Sequence, residues 1–258
     1  PSSPASAMTL ERLVTEAAAA DIAVHAWMHV LALEGSDRTV IAALEAEGRL
    51  VEPPPGTAGT PWLCPDHAAN RAMLAEAAAR LAARGVAGVH LDYVRLENPG
   101  GCVCKASRAA FEKRTGLKPT TWPADVVGEG RFAREYQVFQ SESVTALIRE
   151  IAAAVRGATN RVALSAAVFP DRRMAARLHQ DWPGWVSAGL LDALCPMNYE
   201  LDAARFEARL DDILEAVPPG RRVAVVPGIG TNAAVPGPDA FDAARQIAGC
   251  RRRGLAGF

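Results

Sequence analysis

Segments typical of strands alternate with segments typical of helices along nearly the whole chain. The predicted strands are Ile22–Val30, Ala87–Val94, Val162–Phe169, Leu191–Tyr199, Arg222–Gly228 and Leu255–Phe258. Predicted helices begin near Thr9 and occupy Asn70–Arg84, Phe132–Val155, Ala203–Glu215 and Pro238–Arg253. Such alternation indicates parallel strands joined by right-handed helical crossovers. Runs such as VALSAAVF, apolar at nearly every position, are typical of strands covered on both faces.

Two α/β architectures fit this alternation: an open doubly wound sheet and a closed barrel. The sequence lacks the Gly-rich phosphate turns GxGxxG and GxxxxGK[ST], which favours the barrel. A length of 258 residues fits one (β/α)8 TIM barrel over residues 1–258. Because about six strands are predicted and a helix precedes the first, we expect an incomplete barrel that lacks its first two strands.

The charge composition of the chain bears on whether nucleic acid or a membrane surface is a binding partner. The formal net charge is −1, and 22% of the residues are charged. Neither nucleic acid nor an anionic membrane surface is therefore an expected partner. No apolar stretch reaches the roughly 18 residues of a membrane span. The first ten residues do not resemble a signal peptide, but secretion to an extracytoplasmic location stays open.

The segment HLDYVRL, His90–Leu96, carries the strongest candidate for chemistry. Apolar strand residues lead into Asp92, Tyr93 and Arg95, and functional groups of barrels collect at the C-terminal ends of strands. A carboxylate there can act as a nucleophile, as a general base or as a charge that stabilises a cationic transition state. We expect Arg95 to hold Asp92 ionised. The alternative is a buried Asp–Arg pair that closes the barrel mouth.

Several motifs then point to a family. The segments HAWMHV, WLCP, GVAGVHLDYVRL, CVCKASRAAFEKRTG, WPAD, LSAAVFPD, QDWPGWVSAGLLDALCPMNYE and PGIGT occur in this order. Together they resemble glycosyl-hydrolase-like family ten, a group of polysaccharide-cleaving TIM barrels, over nearly the full chain. The resemblance implies a barrel, a carbohydrate ligand and an Asp on the fourth barrel strand that matches Asp92. It also implies two strands before the HAW segment.

Glycoside hydrolysis usually needs two carboxyl groups. Asp92 is the first, and Glu200, Asp181 and Asp171 are ranked in that order as the second. Glu200 follows the strand that ends in CPMNY, whereas the two aspartates follow VALSAAVF. Each has a structural alternative: a solvated residue at a helix N-terminus for Glu200, and an N-cap for Asp181. The second carboxylate could also lie on the missing strands.

Aromatic and polar side chains at predicted strand ends fit sugar binding, because sugar rings stack on Trp and Tyr. The predicted substrate-binding residues are His25, Trp27, Tyr93, Arg95, Trp182, Asn198 and Tyr199, with Trp185 as a further aromatic candidate. For any one aromatic residue, core packing is the alternative. We interpret His29 and His90 as satisfied core histidines, an interpretation that also remains open for His25.

Cys102 and Cys104 form a CxC, and Ser107 stands where related sequences often have a third cysteine. With two close thiols and no obvious third ligand, we expect free thiols and no metal. Cys64 and His67 would join them only if folding brought them close. The five scattered cysteines do not indicate a disulfide framework.

The leading hypothesis is a glycosidase that needs no cofactor and acts on a polysaccharide or cell-wall-type glycan. A second is a carbohydrate-binding barrel without catalysis, whose carboxyl groups would lie more than about 10 Å apart. A third is a metal-dependent glycan deacetylase, which requires His and Asp side chains that converge at one mouth. The sequence contains neither the GxSxG elbow of serine hydrolases nor HExxH.

Overall fold

A computed structural model describes residues 9–158, 162–220, 223–230 and 239–258. Five parallel strands form one sheet in the order β1-β2-β3-β4-β5. The strands are β1 (His25–His29), β2 (Gly88–Asp92), β3 (Ala163–Val168), β4 (Ala193–Pro196) and β5 (Ala224–Val225). Strand order follows chain order, so each crossover leads to the adjacent strand. This arrangement confirms the predicted α/β class with parallel strands.

Within the described ranges, nine α-helices accompany the sheet. They are α1 (Leu10–Ala19), α2 (Arg38–Ala46), α3 (Ala68–Ala82), α4 (Lys105–Thr115), α5 (Ala133–Arg156), α6 (Arg172–Arg177), α7 (Trp182–Ser187), α8 (Ala203–Ala216) and α9 (Ala240–Arg252). The four long helices that the sequence predicts are α3, α5, α8 and α9. Arg222 and Pro238, where a predicted strand and helix begin, lie outside the described residues.

Helix α5 shows why the long predictions succeed. Its buried residues recur every three or four positions and form one continuous face: Tyr136, Phe139, Gln140, Ser143, Val144, Leu147, Ile148, Ile151, Ala152 and Val155. This spacing matches the 3.6-residue turn, so a single face packs inward. Helix α5 packs against α3, and α8 packs against α9.

The two faces of the sheet differ in burial. Alternate side chains point to opposite faces of a strand, and the register His29↔Asp92 and His90↔Ser165 places these four residues on one face. The other face, formed by residues such as Leu91 and Leu194, is buried in the main apolar core. The face of His29 and Asp92, hereafter the open face, also carries Trp27, and its side chains on β1 and β2 are exposed or only partly buried.

The structure departs from the predicted pattern in two respects. Leu255–Phe258 forms no strand; Gly257 lies beside the Val226 side chain without entering the ladder. Helices α2, α4, α6 and α7 fall where no helix was expected, and α4 lies inside the long connection Glu97–Arg131. Helix α4 buries only Ser107 and Phe111, so it has little of the apolar periodicity that reveals a helix.

Among the helices of the described residues, none has both the length and the apolar character needed to cross a bilayer.

Candidate active site at the carboxyl edge of the sheet

Asp92 is the last residue of β2, and its carboxylate lies on the open face at the C-terminal edge of the sheet. The indole Nε1 of Trp27 donates to Asp92 Oδ2 at 3.1 Å. The backbone N–H of Tyr93 donates to Asp92 Oδ1 at 2.7 Å. Each carboxylate oxygen therefore has one donor and a remaining lone pair, and the half-buried side chain can still be reached from solvent.

Tyr93, the next residue, has a left-handed backbone with φ of 53°. This conformation costs a non-glycine residue about 1–2 kcal/mol and is often found at functional sites. It turns the chain sharply as β2 ends. Burial, followed by the charges of Glu34 and Asp92, raises the pKa of the Tyr93 phenol above its ordinary value, so the hydroxyl stays protonated as a donor.

Aromatic rings form a continuous wall beside Asp92. His29 lies between Trp27 and Tyr93, with ring centroids 4.7 Å from each. Tyr93 in turn makes an edge contact with Trp62 at 5.8 Å. Trp27 is 65% exposed, which leaves a large apolar ring open to solvent beside a carboxylate. Such a ring suits the C–H face of a sugar.

Arg95 packs against aromatic rings, and its expected role of holding Asp92 ionised stays a prediction. Its guanidinium lies over the rings of Trp62 at 4.9 Å and Phe169 at 5.2 Å, and Nη1 donates to the Leu96 carbonyl at 3.0 Å. Burial lowers the pKa of Arg95 somewhat from its very high ordinary value. No ion pair joins it to Asp92 in the part of the chain that the structure describes. Arg95 therefore supports the aromatic wall by cation–π contacts.

Tyr199 follows β4 and approaches the same edge. It is 56% exposed, and its ring fits against Gly228, where an added Cβ would lie 2.7 Å from Tyr199 Cε1. Only glycine at position 228 leaves room for this ring. Burial, followed by the charge of Asp92, raises the pKa of Tyr199, which indicates that the phenol is close enough to sense that carboxylate.

Glu200 and Asp171 share one cation. Arg209 Nη2 contacts Glu200 Oε1 at 3.1 Å, and Arg209 Nη1 contacts Asp171 Oδ2 at 3.3 Å. Asp171 is also the N-cap of α6, where its side chain accepts the Met174 N–H at 2.8 Å. That N–H, followed by Arg209, lowers the pKa of Asp171, which makes it unsuited to donate a proton at neutral pH.

Asp181 has a structural position. It is the N-cap of α7, and Asp181 Oδ1 accepts the Gly184 N–H at 3.2 Å. It borders a surface cavity of about 920 Å³ whose other lining residues include Gln137 and Ser141 of α5 and Arg172 of α6. That cavity is lined by residues of α5, α6 and the start of α7, and the cap contact matches the structural alternative for Asp181.

We expect Asp181→Ala to destabilise the chain by about 1 kcal/mol through loss of the N-cap, with no loss of any glycan-directed activity. Chemical denaturation and an activity assay on the same sample measure the two effects. A large loss of activity at unchanged stability would return Asp181 to the catalytic candidates.

Four of the residues considered for sugar binding are either buried or distant from the edge that carries Asp92. Trp182 is fully buried and Trp182 Nε1 donates to the Phe169 carbonyl at 3.1 Å, so it offers no face to a sugar. Trp185 is also fully buried. Asn198 is buried and donates to the Phe206 carbonyl at 3.0 Å. His25 begins β1, four residues before the edge that carries Asp92, or about 13 Å along a strand.

Two residues that the sequence interpretation missed lie at this edge of the sheet. His29, which the sequence indicates as a core histidine, pairs in register with Asp92. Glu34 lies in the connection after β1, and the Tyr93 hydroxyl is 3.5 Å from Glu34 Oε2. Their position, at the last residue of β1 for His29 and shortly after that strand for Glu34, would have indicated both. His90 does match the core interpretation, because Nδ1 pairs with Ser165 Oγ at 2.9 Å and burial lowers its pKa.

The deacetylase hypothesis requires converging His and Asp ligands. Across residues 9–158, 162–220, 223–230 and 239–258, the one group of three or more potential ligands within reach of a shared ion is Cys64, Cys102 and Cys104. No such group of His and Asp forms in these ranges. The ligand geometry therefore gives the deacetylase hypothesis no support.

Comparison with solved structures places the fold. The PgaB (BpsB) glycoside hydrolase domain from Bordetella bronchiseptica superposes with a TM-score of 0.71 at 19% identity, covering 98% of this chain and 74% of that one. The PelA glycoside hydrolase domain from Pseudomonas aeruginosa gives 0.51 at 14% identity, covering 96% and 81%. The β-galactosidase from the haloarchaeon Halorubrum lacusprofundi gives 0.61 at 16% identity.

The last comparison covers 93% of this chain but 43% of the β-galactosidase, so this chain spans less than half of that enzyme. No family model matches the sequence, and no curated protein matches it. At these low identities the shared feature is the backbone architecture. The chain therefore has the α/β fold of TIM-barrel glycoside hydrolase domains.

Proposed function

We propose that this protein is a glycoside hydrolase that cleaves a polysaccharide or cell-wall-type glycan, with Asp92 as an essential carboxylate. The observation that carries the proposal is the pair formed by Asp92 and the exposed Trp27, at the C-terminal edge of a sheet with this fold. Active sites of TIM barrels are built at that edge. The motif resemblance to glycosyl-hydrolase-like family ten supports the same activity.

Glycoside hydrolysis passes through a transition state with positive charge at the anomeric carbon. The Asp92 carboxylate, held by Trp27 Nε1 and the Tyr93 N–H, is a fixed negative charge at the open face. It can attack that carbon or deprotonate the attacking water. The leaving oxygen takes a proton from the second carboxyl group, and a water molecule supplies the new hydroxyl. These residues need no cofactor for that chemistry.

For the second carboxylate we propose Glu200, which follows β4 beside Tyr199. Its present partner is Arg209, at 3.1 Å. Glu34 is the other candidate, favoured by its approach to the Tyr93 hydroxyl at 3.5 Å. The second group should be identified by its pH profile, because removing a general acid flattens the alkaline limb of kcat/KM.

Glu200→Gln and Glu34→Gln are the matched pair for this choice. We expect Glu200→Gln to lower kcat/KM strongly for substrates with poor leaving groups and weakly for activated aryl glycosides, which need little protonation. Glu34→Gln should change kcat/KM little for either class of substrate. The reverse pattern would transfer the acid role to Glu34 and leave the role of Asp92 intact.

Trp27→Phe tests the contact that carries the proposal. The variant keeps an aromatic ring but removes the Nε1–H that bonds Asp92 Oδ2. A hydrogen bond to a charged group is worth about 1.5–3 kcal/mol, so kcat/KM should fall about 10- to 100-fold. Trp27→Ala should also raise KM through loss of the stacking surface. Wild-type kinetics for both variants would remove Trp27 from the site.

A carbohydrate-binding barrel without catalysis is the second candidate, because the aromatic wall alone is enough for binding. Isothermal titration with soluble oligosaccharides and a reducing-end assay on the same glycans separate the two. Binding that depends on Trp27, without release of reducing ends by the wild type, would select the binding function.

A further inference from the structure

Three buried cysteines from distant parts of the chain meet in one place. Cys64 lies in the connection between β1 and α3, and Cys102 and Cys104 lie in the connection between β2 and α4. Cys64 Sγ is 3.8 Å from Cys102 Sγ and 3.5 Å from Cys104 Sγ. All three sulfurs lie within 4.8 Å of one another. The folded chain thus supplies the third thiol that the local sequence lacks.

We propose that Cys64, Cys102 and Cys104 bind a structural zinc ion, a site that is independent of the proposed glycosidase activity. Zinc–sulfur bonds of about 2.3 Å in a tetrahedral site place neighbouring sulfurs about 3.8 Å apart. The two shorter sulfur–sulfur distances match that edge within a few tenths of an ångström. A disulfide, in contrast, requires about 2.05 Å and would leave one thiol over.

Ser107 marks the fourth corner of the site. Its Oγ lies 3.4 Å from Cys64 Sγ and 3.6 Å from Cys104 Sγ. It also donates to Asp66 Oδ2 at 2.8 Å. Asp66 Oδ1 is buried and has no hydrogen-bond partner among the described residues. An oxygen at the Ser107 position would complete the coordination, with Asp66 holding it through the hydrogen bond to Oδ2.

The surroundings hold these ligands in place. Asn70 Nδ2 donates to the Cys64 carbonyl at 2.9 Å, and the Cys102 N–H donates to Gln140 Oε1 at 2.7 Å. Cys104 is the N-cap of α4, where its sulfur accepts the Ser107 N–H at 3.5 Å. The positive end of a helix dipole stabilises a thiolate there. His67, which the sequence suggested as a possible ligand, is not in the cluster.

Such a site would join two connections that leave the sheet at the Asp92 edge. Buried, closed zinc sites contribute folding energy rather than chemistry. A zinc ion in this cluster would therefore stabilise the loops around the candidate active site. We expect it to bind whether or not the chain hydrolyses a glycan.

The test is metal analysis of the 258-residue chain purified without chelator from zinc-supplemented cells. We expect elemental analysis by inductively coupled plasma mass spectrometry to find one zinc ion per chain. Cobalt substitution should give thiolate-to-cobalt charge-transfer absorption and the intense visible bands of a tetrahedral site. The zinc content and the cobalt absorption should both be lost in Cys64→Ser and Cys104→Ser. They should remain in the control variant Cys250→Ser, because Cys250 is a buried cysteine outside the cluster.

Variants at the fourth corner keep the proposal testable if a cysteine variant fails to fold. Ser107→Cys adds a fourth thiolate and should slow zinc loss to a chelator by at least about tenfold, whereas Asp66→Asn should weaken affinity about 10- to 100-fold. If neither variant changes how readily a chelator removes zinc, Ser107 does not mark the fourth ligand position. Five titratable thiols without zinc, or a mass two hydrogens lower from a disulfide, would overturn the site.

Discussion

Asp92→Asn should lower glycan turnover by at least about 10³-fold while leaving the fold intact. The change removes the negative charge that we assign to stabilising or attacking the anomeric carbon, and losses of this size follow the removal of a group that acts in the transition state. Asparagine has the same shape as aspartate, and its Oδ1 can still accept one of the two N–H donors, from Trp27 Nε1 or from the Tyr93 backbone. The measurement is kcat/KM for one substrate, with circular dichroism and Tm on the same samples.

Asp181→Asn is the matched control for this substitution. It makes the same chemical change at a residue that caps α7, and asparagine caps a helix about as well as aspartate. We therefore expect near wild-type stability and turnover. A loss in Asp92→Asn of less than about tenfold, with both proteins folded, would exclude Asp92 as the essential carboxylate.

Trp182→Ala should destabilise the protein by about 3–5 kcal/mol, the cost of removing a large aromatic side chain from a packed core. Trp182 is 0% exposed and packs into the main apolar core. The substitution also leaves the Phe169 carbonyl without its indole donor. Urea denaturation measures the loss as a shift in midpoint, with the slope checked for a change in the unfolded state.

Trp27→Ala is the contrast that distinguishes a core residue from a ligand platform. Trp27 is 65% exposed, so its removal should change the free energy of unfolding by about 0.5 kcal/mol or less. The two variants should therefore affect different properties. Trp182→Ala should lower the free energy of unfolding, whereas Trp27→Ala should weaken glycan binding. Unchanged stability in Trp182→Ala together with lost glycan binding would restore Trp182 as a substrate residue.

The sequence predicted the backbone class well because strand and helix periods are local signals. Helix α5 is the clearest case, since its apolar face is continuous over 24 residues. Helix α4 was missed because its face toward the core consists of little more than Phe111. The terminal Leu255–Phe258 was apolar enough for a strand, but a strand also needs a partner in register, which composition does not reveal.

Side-chain roles were harder to predict because they depend on contacts between distant segments. Asp92 could be selected, since an aspartate that ends an apolar strand is informative by itself. Trp27 and Trp182 looked equivalent in sequence, and only the folded chain separates them, because it buries Trp182 at the start of α7 and leaves Trp27 exposed. Cys64 joins Cys102 across 38 residues, so the CxC motif alone gave no sign of a third ligand.

Hydrolysis in oxygen-18 water is the decisive experiment on catalysis by Asp92. The wild-type chain and Asp92→Asn are incubated with a panel of polysaccharides and cell-wall-type glycans, and the products are analysed by mass spectrometry. We expect new reducing ends that carry one oxygen-18 atom with the wild type and their near absence with Asp92→Asn. Glycan that binds the wild type yet stays uncleaved, or equal cleavage by both proteins, would contradict this expectation.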